Sequence, residues 1–377
     1  MIYLDYNATT PVPQDVVEAM LPWLSERFGN PSSKSRVGND ARRAIDCARE
    51  ELARLLGTAP ASVVFTSGAT ESINTTLFSV VKKNGIKSRN HIITTSVEHS
   101  ATLTCCKHLE DFYGVDVTYL PVTGAGELDL DLLRASIRPN TSLVSVIWGN
   151  NETGVVLPSR RIAEICNECG VPLHLDGVQV VGKIPISFDD LGASYLSISG
   201  HKFGAPKGVG ALLVKDEQSL VPLIHGGKQQ MGLRGGTENV PSIVGLGKAA
   251  QLLGNAGQGR WKLAEQVRDE FEEMISNRLP DVRINGQASS RLPNTSNVYI
   301  PGVDSDALVT YLDQKGICVS SGSACLEDAI TPSHVIFAMG QSYERASESV
   351  RVSLCPESMI AELENLVHEI VLFRGFC

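Results

Sequence analysis

Lys202, Asp176, His99, Cys325 and Arg351 combine reactive side chains with telling positions in this 377-residue chain. Lys202 closes the run Tyr195-Leu-Ser-Ile-Ser199-Gly-His201-Lys202, an apolar strand pattern that enters Ser-Gly-His-Lys. Lysine is seldom buried without a partner. At the mouth of a strand it reads as a loop lysine with its head in water, or as an amine of lowered pKa that forms a Schiff base. Asp176 follows the apolar run Leu173-His-Leu175, and Lys202 comes 26 residues later, one crossover on. Such a carboxylate could cap a helix or hold a ring-nitrogen cation. His99 opens a helix pattern in Val97-Glu98-His99-Ser100. It is either a helix-start residue or a ring that stacks on a flat cofactor and moves protons.

Ser67-Gly-Ala-Thr70 is a small-residue turn that opens another helix pattern. Free N–H groups and the helix dipole there suit a phosphate. Aspartate and lysine at neighbouring strand ends, with that cradle upstream, suit pyridoxal phosphate, whose ring becomes an electron sink when its nitrogen stays protonated. Cys325 sits in Val319-Ser-Ser-Gly-Ser-Ala-Cys325, a strand pattern running into a small polar loop. It reads as a buried structural thiol or as a reactive thiolate. Arg351, inside Ser349-Val-Arg-Val-Ser353, is an exposed strand position or a bidentate carboxylate clamp. Cys166-Asn-Glu-Cys169 has CxxC spacing but lies on a helix pattern with no second pair nearby, so no metal site is expected. Gly204–Gly210 lacks the strand–turn–helix setting of a dinucleotide site.

The elements that carry these residues alternate. Strand patterns fall at Ser62–Thr66, His91–Thr95, Val115–Leu120, Ser142–Trp148, Leu173–Leu175 and Tyr195–Ser199. Helix patterns fall at Gln14–Arg27, Val37–Leu56 (capped by Ser33 or Ser35), Thr70–Lys82, His99–Tyr113, Asp129–Ile137 and Ser159–Glu168. This order predicts βαβ units and a mostly parallel sheet, whose strand ends bind ligands. Gly254-Asn-Ala-Gly-Gln-Gly259 is a composition break. Beyond it lie helix patterns at Trp261–Asn277, Asp304–Lys315 and Ile360–Phe373, and strand patterns at Thr295–Ile300, Ile317–Ser320 and Ser349–Leu354. The expected organisation is a large α/β domain over 15–255 and a smaller α+β domain built from 1–14 and 256–377, the latter carrying the Cys325 loop.

The composition is that of a globular protein, 42% hydrophobic and 20% charged. A net charge of -9 argues against a general nucleic-acid or anionic-membrane surface. No run of 18 apolar residues predicts a membrane span, and the N-terminus has no secretory pattern. Nine irregularly spaced cysteines suit a reducing, cytoplasmic compartment.

In their order along the chain, these motifs resemble the NifS/IscS-type cysteine desulfurases, class V enzymes of the fold-type I pyridoxal-phosphate group. The resemblance spans nearly the whole sequence. It rests on Tyr3–Thr10, Gly29–Ser33, Phe65–Ser72, Glu98-His99, Asn150–Glu152 with Gly154, His174–Asp176 with Gln179, Ser199–Lys202, Arg234–Thr237, Ser320–Cys325 and Arg351–Leu354. It implies that Lys202 carries the cofactor, that Asp176 pairs with the pyridine nitrogen, and that Gln179 bonds the phenolic oxygen. His99 would stack on the ring and move protons. Ala69 (through its backbone), Thr70, Ser199 and His201 would hold the phosphate, with Thr237 contributed from the neighbouring subunit of a homodimer. Asn151 and Arg351 would bind the amino acid, and Cys325 would be the nucleophile.

The implied reaction removes sulfur from L-cysteine, leaving alanine and a persulfide on Cys325. The sulfur then passes to an acceptor protein, either an iron–sulfur scaffold or a thiolation partner. Selenocysteine lyase and an aminotransferase of the same fold are the neighbouring alternatives. Two positions depart from the family pattern: His225-Gly-Gly-Lys-Gln-Gln replaces a run of three glycines, and Cys355 stands where glycine is common. The chain also stops at Cys377, where scaffold-docking members often carry a longer tail.

Overall fold

The computed structural model describes residues 1–84, 90–257, 259–322 and 332–375. Cys325 lies outside the described residues. An N-terminal arm begins with the short strand β1 (Ile2–Tyr3). Seven strands follow: β2 (Val63–Thr66), β3 (His91–Thr95), β4 (Asp116–Leu120), β5 (Thr141–Ile147), β6 (Leu173–Asp176), β7 (Tyr195–Ser199) and β8 (Gly210–Val214). They form one sheet in the order β2-β8-β7-β6-β5-β3-β4. The pairs β7·β6, β6·β5, β5·β3 and β3·β4 are parallel, and β8 runs antiparallel to both β2 and β7. The sheet is thus mostly parallel. β8 was not legible in the sequence because the Gly/Pro-rich run before it hid a reversing strand.

Apolar helices cover both faces, as a sheet buried on two sides requires. On one face, Ile45, Leu52, Ile243 and Leu246 pack with Val144, Val146, Leu196 and Ile198. Two of the helices there, Arg36–Leu56 and Val240–Ala256, cross closely. Gly247 permits this, since a Cβ on it would meet the Ala48 Cα at 2.5 Å. On the other face, Ile73, Leu77 and Leu109 pack with Val64, Leu143 and Leu212.

The expected helix Gln14–Arg27 is two pieces, Gln14–Met20 and Pro22–Ser25. Pro22 has no N–H to continue the ladder and opens the second piece. Helix Arg36–Leu56 starts at Ser35, whose hydroxyl accepts from the Gly38 N–H. Helix Val240–Ala256 was not foreseen, and it runs through the start of the Gly-rich break.

The C-terminal part contains β9 (Arg283–Ile284), β10 (Thr295–Tyr299), β11 (Ile317–Cys318), β12 (Ser320–Ser321) and β13 (Ser349–Ser353). Four of these form a sheet in the order β12-β13-β10-β9. The expected strand Ile317–Ser320 is therefore split. β11 pairs with β1 of the arm, and β12 pairs with β13. A separate core of Phe271, Ile275, Val298, Leu308, Val350, Leu363 and Leu366 includes Leu4 from the arm. The arm then crosses to the large sheet, where the Thr10 N–H and hydroxyl both donate to the His201 carbonyl.

Candidate active site

A cavity of about 610 Å³ lies where the strand ends of the large sheet face the four-stranded sheet. Its walls include Ala69, Thr70, His99, Asn151, Asp176, Gln179, Ser199, His201, Lys202 and Arg351. Ten of the twelve expected site residues thus meet in one place. Thr237 does not line this cavity and is exposed. Gly322, three residues before Cys325 in the sequence, does line it.

Asp176 is the last residue of β6. Its Oδ1 accepts from the Val178 N–H at 3.0 Å, so it does cap a turn. The carboxyl is also only 3% exposed, and burial raises its pKa, against the pull of His99, the Val178 N–H and Lys202. A cation brought against it would offset that burial. Lys202 follows β7 in a single turn of 3₁₀ helix, Gly200–Lys202. Its Nζ donates to the carbonyls of Asn7 at 2.7 Å and Ala8 at 2.8 Å. The amine is thus aimed into the site and held by the N-terminal arm.

His99 caps helix Ser100–Tyr113, and its Nδ1 accepts from the Ala101 N–H at 3.1 Å. Burial lowers its pKa, with Lys202 and His334 lowering it further and Asp176 opposing. The ring is therefore neutral near pH 7 with its proton on Nε2. It is both a cap and a cavity wall, so the two readings of His99 are compatible.

The anion end is built from a helix start and three side chains. Helix Ala69–Asn84 begins at the cavity, with its first-turn N–H groups beside Thr70, Ser199 and His201. β8 starts tightly against this turn, since a Cβ on Gly210 would stand 2.8 Å from the Gly68 Cα. Glu71 holds the turn from behind: it accepts from the Ser67 N–H and pairs with Arg234 at 2.9 Å. Lys207 also lines the cavity and was not singled out in the sequence. A buried carboxyl at a strand end, an aimed lysine amine and a helix N-terminus with hydroxyls fit pyridoxal phosphate in donor chemistry and in order.

Arg351 stands in the middle of β13 and is 5% exposed, so it is no surface strand position. Its Nη2 pairs with Asp5 at 2.7 Å and its Nη1 donates to the Asn151 carbonyl at 3.1 Å. Its Nε is buried with no partner among the described residues. The side chain lines the cavity, and a guanidinium there suits a carboxylate. Asn151 is presented by a turn that Asn150 folds, through Oδ1 contacts to the Glu152 and Thr153 N–H groups.

Three further residues lie in the quoted motifs but were given no role in the sequence. Glu152, buried, accepts from the Ser333 hydroxyl, and burial raises its pKa. Glu98 is fully buried and its pKa is pushed up to about 8 by desolvation. Asn7 accepts from both Lys202 and Gln179 on its carbonyl and donates to the Asn151 carbonyl. Such contacts span 144 or more residues of sequence, and no local spacing announces them.

Residues 2–366 match the family model for aminotransferase class-V, and the chain belongs to that family. It falls within the cysteine desulfurase branch, a pyridoxal-phosphate-dependent group. It is 44% identical to a cysteine desulfurase of Trichormus azollae, over 97% of this chain and 91% of that protein. It is 43% identical to the cysteine desulfurase IscS of Dictyoglomus turgidum, over 94% of this chain and 89% of that one. A solved NifS-like protein superposes with a TM-score of 0.93 at 35% identity, covering all of both chains. SspA in complex with cysteine superposes at 0.84 with 38% identity, over 95% of this chain and all of SspA.

Proposed function

We propose that the protein is a cysteine desulfurase that uses pyridoxal phosphate to take sulfur from L-cysteine, releasing alanine. The observation that carries this reading is the convergence of Asp176, His99, Lys202 and Arg351 on one cavity. Bound there, the cofactor would supply an electron sink for the substrate α-carbon. Asp176 would hold the ring-nitrogen proton in place. Ala69, Thr70, Ser199 and His201 would hold the phosphate, and Gln179 would donate to the phenolic oxygen.

Arg351 and Asn151 bind the amino acid, with the Arg351 guanidinium taking the substrate carboxylate. Lys202 accepts the α-proton as general base. His99, neutral with its proton on Nε2, would stand against the ring and can give or take a proton at that atom. The Cys325 thiolate attacks the substrate sulfur. An S–S bond forms, the Cβ–S bond breaks with its electron pair left on Cβ, Cβ takes a proton, and the proton held on Lys202 returns to the α-carbon, giving alanine.

The persulfide on Cys325 is then handed to an acceptor protein, an iron–sulfur scaffold or a thiolation partner. The exposed position of Thr237 supports a homodimer in which it completes the phosphate cradle of the neighbouring subunit. The reading places the enzyme in the cytoplasm; among the described residues no helix is long and apolar enough to cross a membrane. The domains are read as 15–255 and as 1–14 with 256–377, in line with the separate cores of the two sheets.

The test is to incubate the cofactor-loaded protein with L-cysteine and a reductant and to follow alanine and sulfide. Cys325→Ala should retain cofactor absorbance and lose sulfide release. A keto acid in place of alanine would instead indicate aminotransfer.

A further inference from the structure

A second lysine lies next to the site and has no place in the chemistry above. Lys183 is 6% exposed, so its head cannot reach water as a loop lysine's would. It does not line the cofactor cavity; it borders a separate cavity of about 300 Å³ with Tyr6, Lys202 and Trp261. Its Nζ donates to the Gln179 Oε1 at 2.8 Å and to the Asn7 Oδ1 at 3.0 Å. Both acceptors are neutral amides, and among the described residues Lys183 makes no ion pair. Burial holds its pKa well below the usual lysine value, and the charges of Lys202 and Arg351 lower it further. Even as a neutral amine it keeps two N–H bonds to give, one for each acceptor. A methionine would fill this space without the cost of burying an amine.

The geometry fixes what those two bonds do. The Gln179 Nε2 donates to the Asn7 carbonyl at 2.9 Å, and a carbonyl can only accept. With the amide oxygen held by Lys183 and one N–H held by Asn7, the second N–H is left to the cavity that Gln179 lines. Asn7 is locked in the same manner. Its Nδ2 donates to the Asn151 carbonyl and the Thr295 hydroxyl, while its Oδ1 accepts from Lys183 and Asn294.

We propose that Lys183 is a positioning residue that clamps the Gln179 amide, so that an N–H always faces the phenolic oxygen of bound pyridoxal phosphate. The proposal rests on the cofactor reading above. A donor on that oxygen weakens the oxygen's hold on the proton of the Lys202–cofactor linkage, so losing the donor makes this proton harder to remove.

The test is an absorbance titration of the cofactor-loaded full-length protein against pH, for wild type, Lys183→Met, Gln179→Ala and the double variant. Lys183→Met should raise the titration midpoint by about one pH unit. It should also speed cofactor release roughly tenfold, as loss of one hydrogen bond to a charged group does. Gln179→Ala should do the same, and the double variant should go no further than Gln179→Ala alone. If Lys183→Met does not fold, Lys183→Leu, which also removes the donor, carries the same prediction. A purely structural lysine would lower the melting temperature without moving the midpoint. An unmoved midpoint, or a shift that adds in full to that of Gln179→Ala, overturns the proposal. A wild type that takes up no pyridoxal phosphate overturns the cofactor reading as well.

Discussion

The seven-stranded sheet presents Asp176, Ser199 and Lys202 from the ends of adjacent parallel strands, whereas the four-stranded sheet presents Arg351 from the middle of β13. Parallel strands end together, so their last residues and the turns after them face one crevice without breaking a ladder. In an antiparallel sheet, a residue in mid-strand faces the site only by the alternation of side chains. A charge there is buried among strand neighbours and needs a standing partner, which Asp5 of the arm supplies. One half of the site is therefore held by backbone geometry, and the other by an ion pair that crosses from the N-terminal arm.

That contrast orders the effects of substitution. Lys202→Ala removes the amine that the large sheet aims into the cavity. Turnover should fall by roughly 10⁴-fold or more, with the covalent cofactor absorbance lost; steady-state rates and a spectrum check both. Arg351→Lys keeps the charge but loses the planar fork. KM for L-cysteine should rise roughly tenfold to a hundredfold, with kcat changed far less. A kcat loss as large as that of Lys202→Ala would erase the distinction between the two halves.

Asp5→Asn should be milder for catalysis than Arg351→Lys, because Arg351 keeps the Asn151 carbonyl. It should still cost about 2 kcal/mol of stability by denaturant titration, since it leaves a buried guanidinium poorly compensated. If Asp5→Asn had no effect on stability, the four-stranded sheet would not need the arm to hold its charge.

The smallest effect concerns Glu98, whose carboxyl is buried at the strand ends of the large sheet. Its Oε1 accepts from the Thr95 hydroxyl and the Ile147 N–H, and its Oε2 is buried without a partner among the described residues. Burial raises its folded-state pKa to about 8, from 4.5 for the free side chain. Between those values the folded state holds a proton that the unfolded state has released. The stability that proton provides is full below the lower value and is lost as pH rises through the upper one. Cofactor-free wild type should therefore lose stability relative to Glu98→Gln as pH climbs from 5 to 8. Melting curves at a series of pH values measure this directly, and parallel curves for the two proteins would contradict it.

The comparison also explains what could be read in advance. Asp176, Lys202 and His99 were legible because each follows or opens a local pattern, an apolar strand or a helix start. The antiparallel β8 was not, because glycine and proline before it read as loop. Asn7, Lys183 and Glu152 were silent for another reason. Their meaning lies in contacts such as Asn7 with Lys202 and Glu152 with Ser333, which join distant parts of the chain. Lys183 sits only four residues after Gln179, yet nothing local distinguishes it from a surface lysine. Its role follows from burial and from contacts to Asn7 and Gln179 that appear only in the packed fold.

The central claim is that the strand-end cluster activates L-cysteine so that Cys325 can take its sulfur. The most direct measurement mixes the cofactor-loaded enzyme with a single equivalent of isotopically labelled L-cysteine without reductant. The Cys325 peptide is then read by mass spectrometry while alanine is quantified. The account predicts one labelled sulfur on Cys325 for each alanine formed, and neither product from Lys202→Ala. Alanine formed at the normal rate with no sulfur on Cys325, or from Cys325→Ala as fast as from wild type, would contradict it.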